Sequence, residues 1–249
     1  KTAASRLLTY IDPITHKTGG TNFTNSLLVG HATTGTLNDA LGNTGVGIGA
    51  LDALTSGDSS TVVGHNAGTA ITSGGFHTFI GGSAGETMTS AFSNVAVGYF
   101  SIQKANSNNN TAIGTSSLNF PTGANNTAIG NSALKGNSGG GTAENSTALG
   151  YQAGLATTSG GYNTFLGTGA GKNVTTGAGN VIIGNVEAAA ADSARTLKIT
   201  GNDGSNTTNW ITGDSSGNLT FGGTITVGSA TVTEAQLEIL DGATVTTTE

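Results

Sequence analysis

The chain has no cysteine, so it holds no disulfide, no thiolate nucleophile and no Cys-based zinc or iron–sulfur site. Its two prolines, set against 42 glycines that do not recur at every third position, exclude collagen. Charged residues are 9% of the chain, against roughly 25% in an ordinary soluble domain, and aromatic residues are 5%. The eight Lys and Arg form no cluster in an acidic chain of net charge −6, which argues against nucleic acid as a partner. Apolar runs such as Val181–Ile183 fall far short of the ~20 residues of a membrane-spanning helix. Disorder is equally disfavoured, because 35% hydrophobic residues accompany that modest charge. The start at Lys1, without Met or a signal pattern, suggests a piece of a longer or processed polypeptide.

What is present is a repeat. A pentad of Asn or Ser, Thr or Val, a small or apolar residue, an aliphatic residue and glycine closes at Gly30, Gly47, Gly64, Gly81, Gly98, Gly114, Gly130, Gly150, Gly167 and Gly184. The spacings are 17, 17, 17, 17, 16, 16, 20, 17 and 17 residues, the signature of a stacked array. Before the glycine stand Val29, Val46, Val63, Ile80, Val97, Ile113, Ile129, Leu149, Leu166 and Ile183, and two residues earlier come mostly threonines. Alternate residues of a strand share a face, so the pentad reads as a short strand whose aliphatic and Thr columns both point inward. The intervening column, with Val62, Phe79, Ala96, Ala112, Ala128, Ala148, Phe165 and Ile182, would then point outward, yet it too is apolar. Apolar residues on both faces call for burial on both sides, hence side-by-side association of copies.

Each closing glycine reads as a corner requiring positive φ or close backbone approach. Three residues later comes a small residue, as at Ala50, Ala67, Ser101 and Ala133. A second corner is suggested by Ser56-Gly57, Ser73-Gly74-Gly75, Gly123 and Ser159-Gly160-Gly161, so each coil is expected to hold two short strands and two tight turns. Asn43, Asn94, Asn110, Asn126, Asn163 and Asn180, with Ser26, Ser60, His77 and Ser146 at the same offset, suggest a ladder of amides bonded to their copies. At ~4.8 Å per coil, ten coils make a rod on the order of 45–50 Å long.

The segment Asn126-Thr127-Ala128-Ile129-Gly130-Asn131-Ser132-Ala133-Leu134 and its relatives resemble the head repeat of trimeric autotransporter adhesins and the similar repeats of bacteriophage tail fibres. The resemblance spans roughly residues 25–187. It implies an all-β fold, a left-handed parallel β-roll or β-solenoid of about ten coils, assembled as an intertwined homotrimer. After a linker-like Ala188–Ala191, strand patterns follow at Thr196–Thr200, Trp210–Thr212, Asn218–Phe221 and Thr224–Val227. The segment from Thr231 to Thr244 resembles one common in phage tail-fibre proteins, whereas an autotransporter continues into a coiled-coil stalk, and no sustained heptads are seen. In such fibres a self-cleaving C-terminal chaperone is often removed, which an end at Glu249 is compatible with. Three regions are therefore expected: an attachment segment (1–24), the β-roll shaft (25–187) and a smaller β-rich region (188–249).

The residues that could carry other chemistry read more plainly as structure. His31 and His65 lie two coils apart, ~9.6 Å along the axis and too far to share an ion, although a trimer would bring three copies of either together. Asp52 with Asp58, or Asp203 with Asp214, could be paired as a glycosidase dyad, but their Gly/Ser/Asn surroundings favour Asx turns. Chance Gly-x-Gly-x-x-Gly matches lack a following helix, and Gly139-Gly140-Gly141 followed by Thr142 lacks the aspartate of a calcium-binding roll. No catalytic or metal residue, cofactor or enzymatic activity is expected.

Tyr99, Phe100, Tyr151, Tyr162 and Trp210, along with Phe76, are candidate receptor contacts, although aromatics that cover corners or a trimer seam are the commoner case. The departures from period 17 near Lys104–Asn109 and Lys135–Glu144 suggest exposed recognition loops. The expected function is a virion structural protein of a phage, a trimeric fibre that joins other virion or tail proteins and meets a host surface glycan or protein receptor. The alternative is a trimeric adhesin on a bacterial cell surface. An ice-binding face is disfavoured because the Thr column is placed on the inward side.

Overall fold

The structure is a computed structural model that describes residues 16–30, 33–120, 123–137, 141–227 and 230–232, with side chains to residue 224. Of the sequence expectations, those on residues 1–15, His31, Gly139-Gly140 and all but the first two residues of 231–244 lie outside these residues. The described chain is all-β. Its strands in chain order are β1 (His16–Thr18), β2 (Phe23–Thr24), β3 (Leu27–Val29), β4 (Ala40–Leu41), β5 (Thr44–Val46), β6 (Thr61–Val63), β7 (Thr78–Ile80), β8 (Val95–Val97) and β9 (Thr111–Ile113). There follow β10 (Thr127–Ile129), β11 (Thr147–Leu149), β12 (Thr164–Leu166), β13 (Val181–Ile183), β14 (Leu197–Asn202), β15 (Thr207–Gly213), β16 (Leu219–Phe221), β17 (Ile225–Val227) and β18 (Ala230–Val232).

Each pentad supplies one three-residue strand. From β3 through β5–β14 these pair in parallel, like residue on like residue, as in Thr61 on Thr78, Phe79 on Ala96 and Ala128 on Ala148. The result is a β-solenoid of about ten turns. Ala188–Ala191 is not a linker: the Ala191 carbonyl accepts the Thr175 backbone N–H at 2.8 Å, and the segment forms the turn of a further coil that leads into β14. Antiparallel strands end the stack, β1 against β3 and the β15–β16 ribbon against β14, so neither end offers a free parallel edge. The four strand patterns read after residue 195 appear as β14, β15, β16 and β17.

A second strand forms only in the first two coils, where β2 pairs in parallel with β4, and shrinks to the single bridge Gly75–Phe92 further on; in the remaining described coils it is absent. Opposite the sheet the chain runs through stacked turns, bonded coil to coil, as in Gly68 N–H to Ala84 O at 2.8 Å and Leu118 N–H to Ala133 O at 3.0 Å. Several residues here hold positive φ, including Leu51 (59°), Ile102 (46°), Leu118 (46°) and Leu134 (44°), and a residue in that conformation breaks an extended run.

The faces of the strands are the reverse of the sequence expectation. The middle residues of the pentads, Leu28, Val62, Phe79, Ala96, Ala112, Ala128, Ala148, Phe165 and Ile182, are completely buried and line the interior. The aliphatic residue before each glycine, and the Thr two residues earlier, point outward. The reason is volume. Each coil has one interior slot, shared between the middle residue and the residue six positions later. Gly45, Ala96, Ala112 and Ala128 face Leu51, Ile102, Leu118 and Leu134, whereas Val62, Phe79 and Phe165 face Gly68, Gly85 and Gly171. The pair Ala148 and Gly154 is small on both sides, and the slot is filled from neighbouring coils: a Cβ on Gly154 would sit 2.6 Å from Phe165 and 2.8 Å from Leu134.

The closing glycines hold as corners. All ten have positive φ, and at Gly64 (φ +142°) a Cβ would lie 2.4 Å from the Gly81 carbonyl oxygen of the next coil. The second glycine column is needed for close approach instead: a Cβ on Gly74 would meet the Ala91 oxygen at 2.1 Å.

The asparagine column is buried, but its amides do not pair chiefly with each other. Each Oδ1 accepts the backbone N–H at the same position in the next coil, as from Asn110 to Asn94 (2.8 Å), Asn126 to Asn110 (2.9 Å) and Ser146 to Asn126 (3.0 Å). The amide N–H groups reach turn carbonyls, Asn43 to Gly57 at 2.7 Å and Asn163 to Gly177 at 2.9 Å. This satisfies the donors and acceptors that a glycine-rich corner leaves inside. Among the described residues of this column, only Asn180 and Asn163 share a direct amide-to-amide bond, at 3.0 Å.

Residues 104–109 are not a projecting loop. In this shortened coil the Asn106 Oδ1 accepts the Thr89 and Ser90 N–H groups and the Asn108 Oδ1 that of Phe92, side chains doing what a backbone carbonyl does elsewhere. Around Lys135–Glu144, Gly136 and Ala143 are likewise bonded into the stack, to Leu155 and Thr158.

Candidate functional site

Two surfaces of the shaft stand out, and both follow from the repeat. The first is the outer face of the sheet. Because the interior takes the middle column, Val29, Val46, Val63, Ile80, Val97, Ile113, Ile129, Leu149, Leu166 and Ile183 form an aliphatic row that runs the length of the solenoid beside the Thr row. Ile113 is 39% exposed and Leu149 45%, and no other described element of the chain covers them. A continuous apolar row of this length on one face is the mark of an interaction surface. The argument that set aside an ice face on the orientation of its threonines therefore falls. What remains against it is composition, since each coil presents at most one Thr beside an aliphatic residue, and Leu27, Val95 and Val181 replace it in three coils.

The second surface is the corner before the strand, five residues ahead of each closing glycine. The chain there is left-handed in coil after coil: Ser59 (φ 53°), Phe76 (60°), Ser93 (59°), Asn109 (59°), Asn125 (63°), Asn145 (54°) and Tyr162 (60°). Asn109 donates to Asn125, and Asn125 to Asn145, each at 3.1 Å, so an exposed amide ladder lies here beside the buried one. Phe76 (60% exposed) and Tyr162 (65% exposed) bracket it, and the Phe92 ring lies 6.5 Å from that of Phe76.

The sequence-derived contact residues fall at three places. Tyr99 and Phe100 touch, with ring centroids 3.9 Å apart, at the corner after the strand, and Tyr151 occupies the Tyr99 position three coils further on. Tyr162 belongs to the amide corner. Trp210 lies apart on β15, over Gly201. Reading the sequence by residue type missed Phe92 and the Asn109–Asn125–Asn145 ladder, although the position five before each glycine is a readable offset.

The acidic residues serve turns. Asp203 Oδ1 accepts the Ser205 and Asn206 N–H groups, and Asp214 accepts those of Ser216 and Asn218. These bonds stabilise the carboxylates and hold both below the usual range; the backbone of Asn206 is the largest influence on Asp203, and the Asn218 side chain on Asp214. Asp58 accepts the Leu41 N–H at 2.8 Å and Asp52 the Thr33 hydroxyl. His65 is exposed, and His77 is buried within the asparagine column. Among the described residues no three His, Asp or Glu side chains converge on a common point, and no helix is long and apolar enough to cross a membrane. No family model, curated protein or solved structure matches the chain.

Proposed function

We propose that the chain is a fibre segment, a left-handed β-roll assembled as an intertwined homotrimer, that belongs to a phage virion and serves to reach and hold a host cell surface. The outward aliphatic row carries this reading. It is unbroken over the parallel stack and leaves each copy with an apolar face that only another molecule can cover. Copies lying side by side with parallel axes match row to row over the full length, and three is the number that the resemblance of the repeat implies. With about ten coils at ~4.8 Å, the shaft is a stiff rod of roughly 48 Å, held laterally by backbone ladders and needing no disulfide.

Such a rod works by position and adhesion, and catalysis has no part in the reading. The mass of the native particle tests it. Light scattering on the uncrosslinked protein should give three times the 24.3 kDa chain mass, and a folded particle of one chain mass overturns the assembly. The alternative, a trimeric adhesin on a bacterial surface, shares the roll and is separated by antibody labelling: gold on virions supports the fibre, and gold on uninfected cells the adhesin.

A further inference from the structure

The corner carrying Phe76, Phe92, Asn109, Asn125, Asn145 and Tyr162 is, we infer, a binding strip for a linear, uncharged polysaccharide lying along the fibre axis. The inference deepens the attachment reading and rests on it only for where such a polymer is met.

The first observation is strain. This column has φ between 53° and 63°, a region that Asn, Ser and Gly tolerate and aromatic residues avoid. Other coils place Ser59, Ser93, Asn109, Asn125 and Asn145 here, yet two coils hold Phe76 and Tyr162. Neither ring repays the strain by burial, since they are 60% and 65% exposed. Bulky residues kept in an unfavourable conformation with their rings in water point to a use outside the fold.

The second observation is the chemistry between the rings. In the Asn109–Asn125–Asn145 ladder Asn125 spends one donor and one acceptor on its neighbours, Asn109 one donor and Asn145 one acceptor. An amide has two of each, so outward groups remain at every rung, ~4.8 Å apart. From Phe76 to Tyr162 is five coils, about 24 Å, with the Phe76–Phe92 pair at one end and Tyr162 at the other. Aromatic faces stack on the C–H faces of pyranose rings, amides bond hydroxyls, and one extended sugar unit advances by a distance comparable with one coil.

The occupant is narrowed further by what the corner lacks. A peptide strand finds no edge to pair with, because the backbone N–H groups of Phe76, Ser93, Asn109, Asn125, Asn145 and Tyr162 are all taken by the preceding coil. An acidic polymer meets Glu144 beside the ladder and a chain of net charge −6, with no Lys or Arg in the column from Phe76 to Tyr162.

The test is native gel retardation in immobilised hydroxyethyl cellulose, glucomannan and β-1,3-glucan, with carboxymethyl cellulose as the anionic counterpart. At least one neutral polymer should retard the native protein. Phe76→Asn with Tyr162→Asn should weaken that binding tenfold or more, and Phe221→Ala, which removes an exposed ring on β16, should leave it unchanged. Asparagine is the residue other coils use at this φ, so the double variant should fold and keep its native mass. Asn125→Ser, with a residue the column also uses, should weaken retardation through loss of the ladder alone. Retardation by no neutral polymer, by the anionic one only, or equally in wild type and double variant overturns the inference. A trimer that binds none of them defeats this inference alone, and a monomer that binds one defeats the fibre assembly alone.

Discussion

The Nδ1 of His77 accepts the backbone N–H of Asn94 at 3.3 Å, taking the place that asparagine Oδ1 holds in other coils. The imidazole is 1% exposed and stacks on Phe79 with centroids 4.7 Å apart. Its Nε2 is buried without a hydrogen-bond partner, and the backbone of Ala91 acts on the ring. Only the neutral ring with its proton on Nε2 fits, because a proton on Nδ1 would face the N–H of Asn94. Burial, slightly opposed by the Ala91 carbonyl, pushes the His77 pKa down from 6.5 to about 4.

Acid should therefore weaken the fold through this one residue. The unfolded chain takes up the proton near pH 6.5 and the folded chain only near 4, so stability is full above the first value and falls as pH drops between the two. The loss should approach about 3 kcal/mol per chain. His77→Asn, which restores the column's usual residue, should flatten the dependence in urea melts recorded across that range; an unchanged slope would show that His77 is not its source.

The shared interior slot gives a double-mutant test. Phe165→Ala should cost about 3–5 kcal/mol, because Ala beside Gly171 leaves the slot empty. Adding Gly171→Leu recreates the Ala112–Leu118 arrangement, and Leu118 shows that leucine accepts φ near the 58° of Gly171. The pair should recover more than half of the loss by chemical denaturation, while Gly171→Leu alone should destabilise by overpacking against Phe165.

Corner glycines should differ sharply from surface ones. Gly64→Ala places a methyl against the next coil's carbonyl and should cost about 2–3 kcal/mol. Gly217 also has positive φ, +88°, but open space around it, so Gly217→Ala should cost about 1 kcal/mol through backbone strain alone. Thermal melting of the two variants side by side gives the comparison.

Ile113→Asp probes the outward row without touching the interior. The charge lies on the face that the proposed trimer would bury, so under that proposal native mass should drop toward one chain while circular dichroism keeps the β signature. The reciprocal change inside, Ala112→Asp, should unfold the coil, because it buries an unpaired carboxylate.

Much of the shaft was legible in the sequence. Fixed spacing, a glycine at each corner and a polar residue opening each pentad are local demands of backbone conformation and hydrogen bonding, and those recur in every coil. The two strands expected per coil reduced to one beyond the first two coils, where β2 and β4 pair, because the other side is broken by left-handed residues such as Leu118, whose side chain gives no hint of positive φ. The amide corner was overlooked because its residues are polar and ordinary singly, and acquire meaning only when Phe76 and Tyr162 appear at the same offset.

The sequence by itself determined the period, the corner positions and the asparagine column. Which face of the strand turns inward was decided only by tertiary structure. A three-residue strand apolar on both sides has no pattern that names its inner face, and the uniform aliphatic column is the natural guess for a core. The interior instead fixes the sum of two side chains from opposite sides of a coil, so Phe79 sits with Gly85 and Ala96 with Ile102, and the true core column is the irregular one. The uniform column lies outside, as a continuous aliphatic row along the sheet.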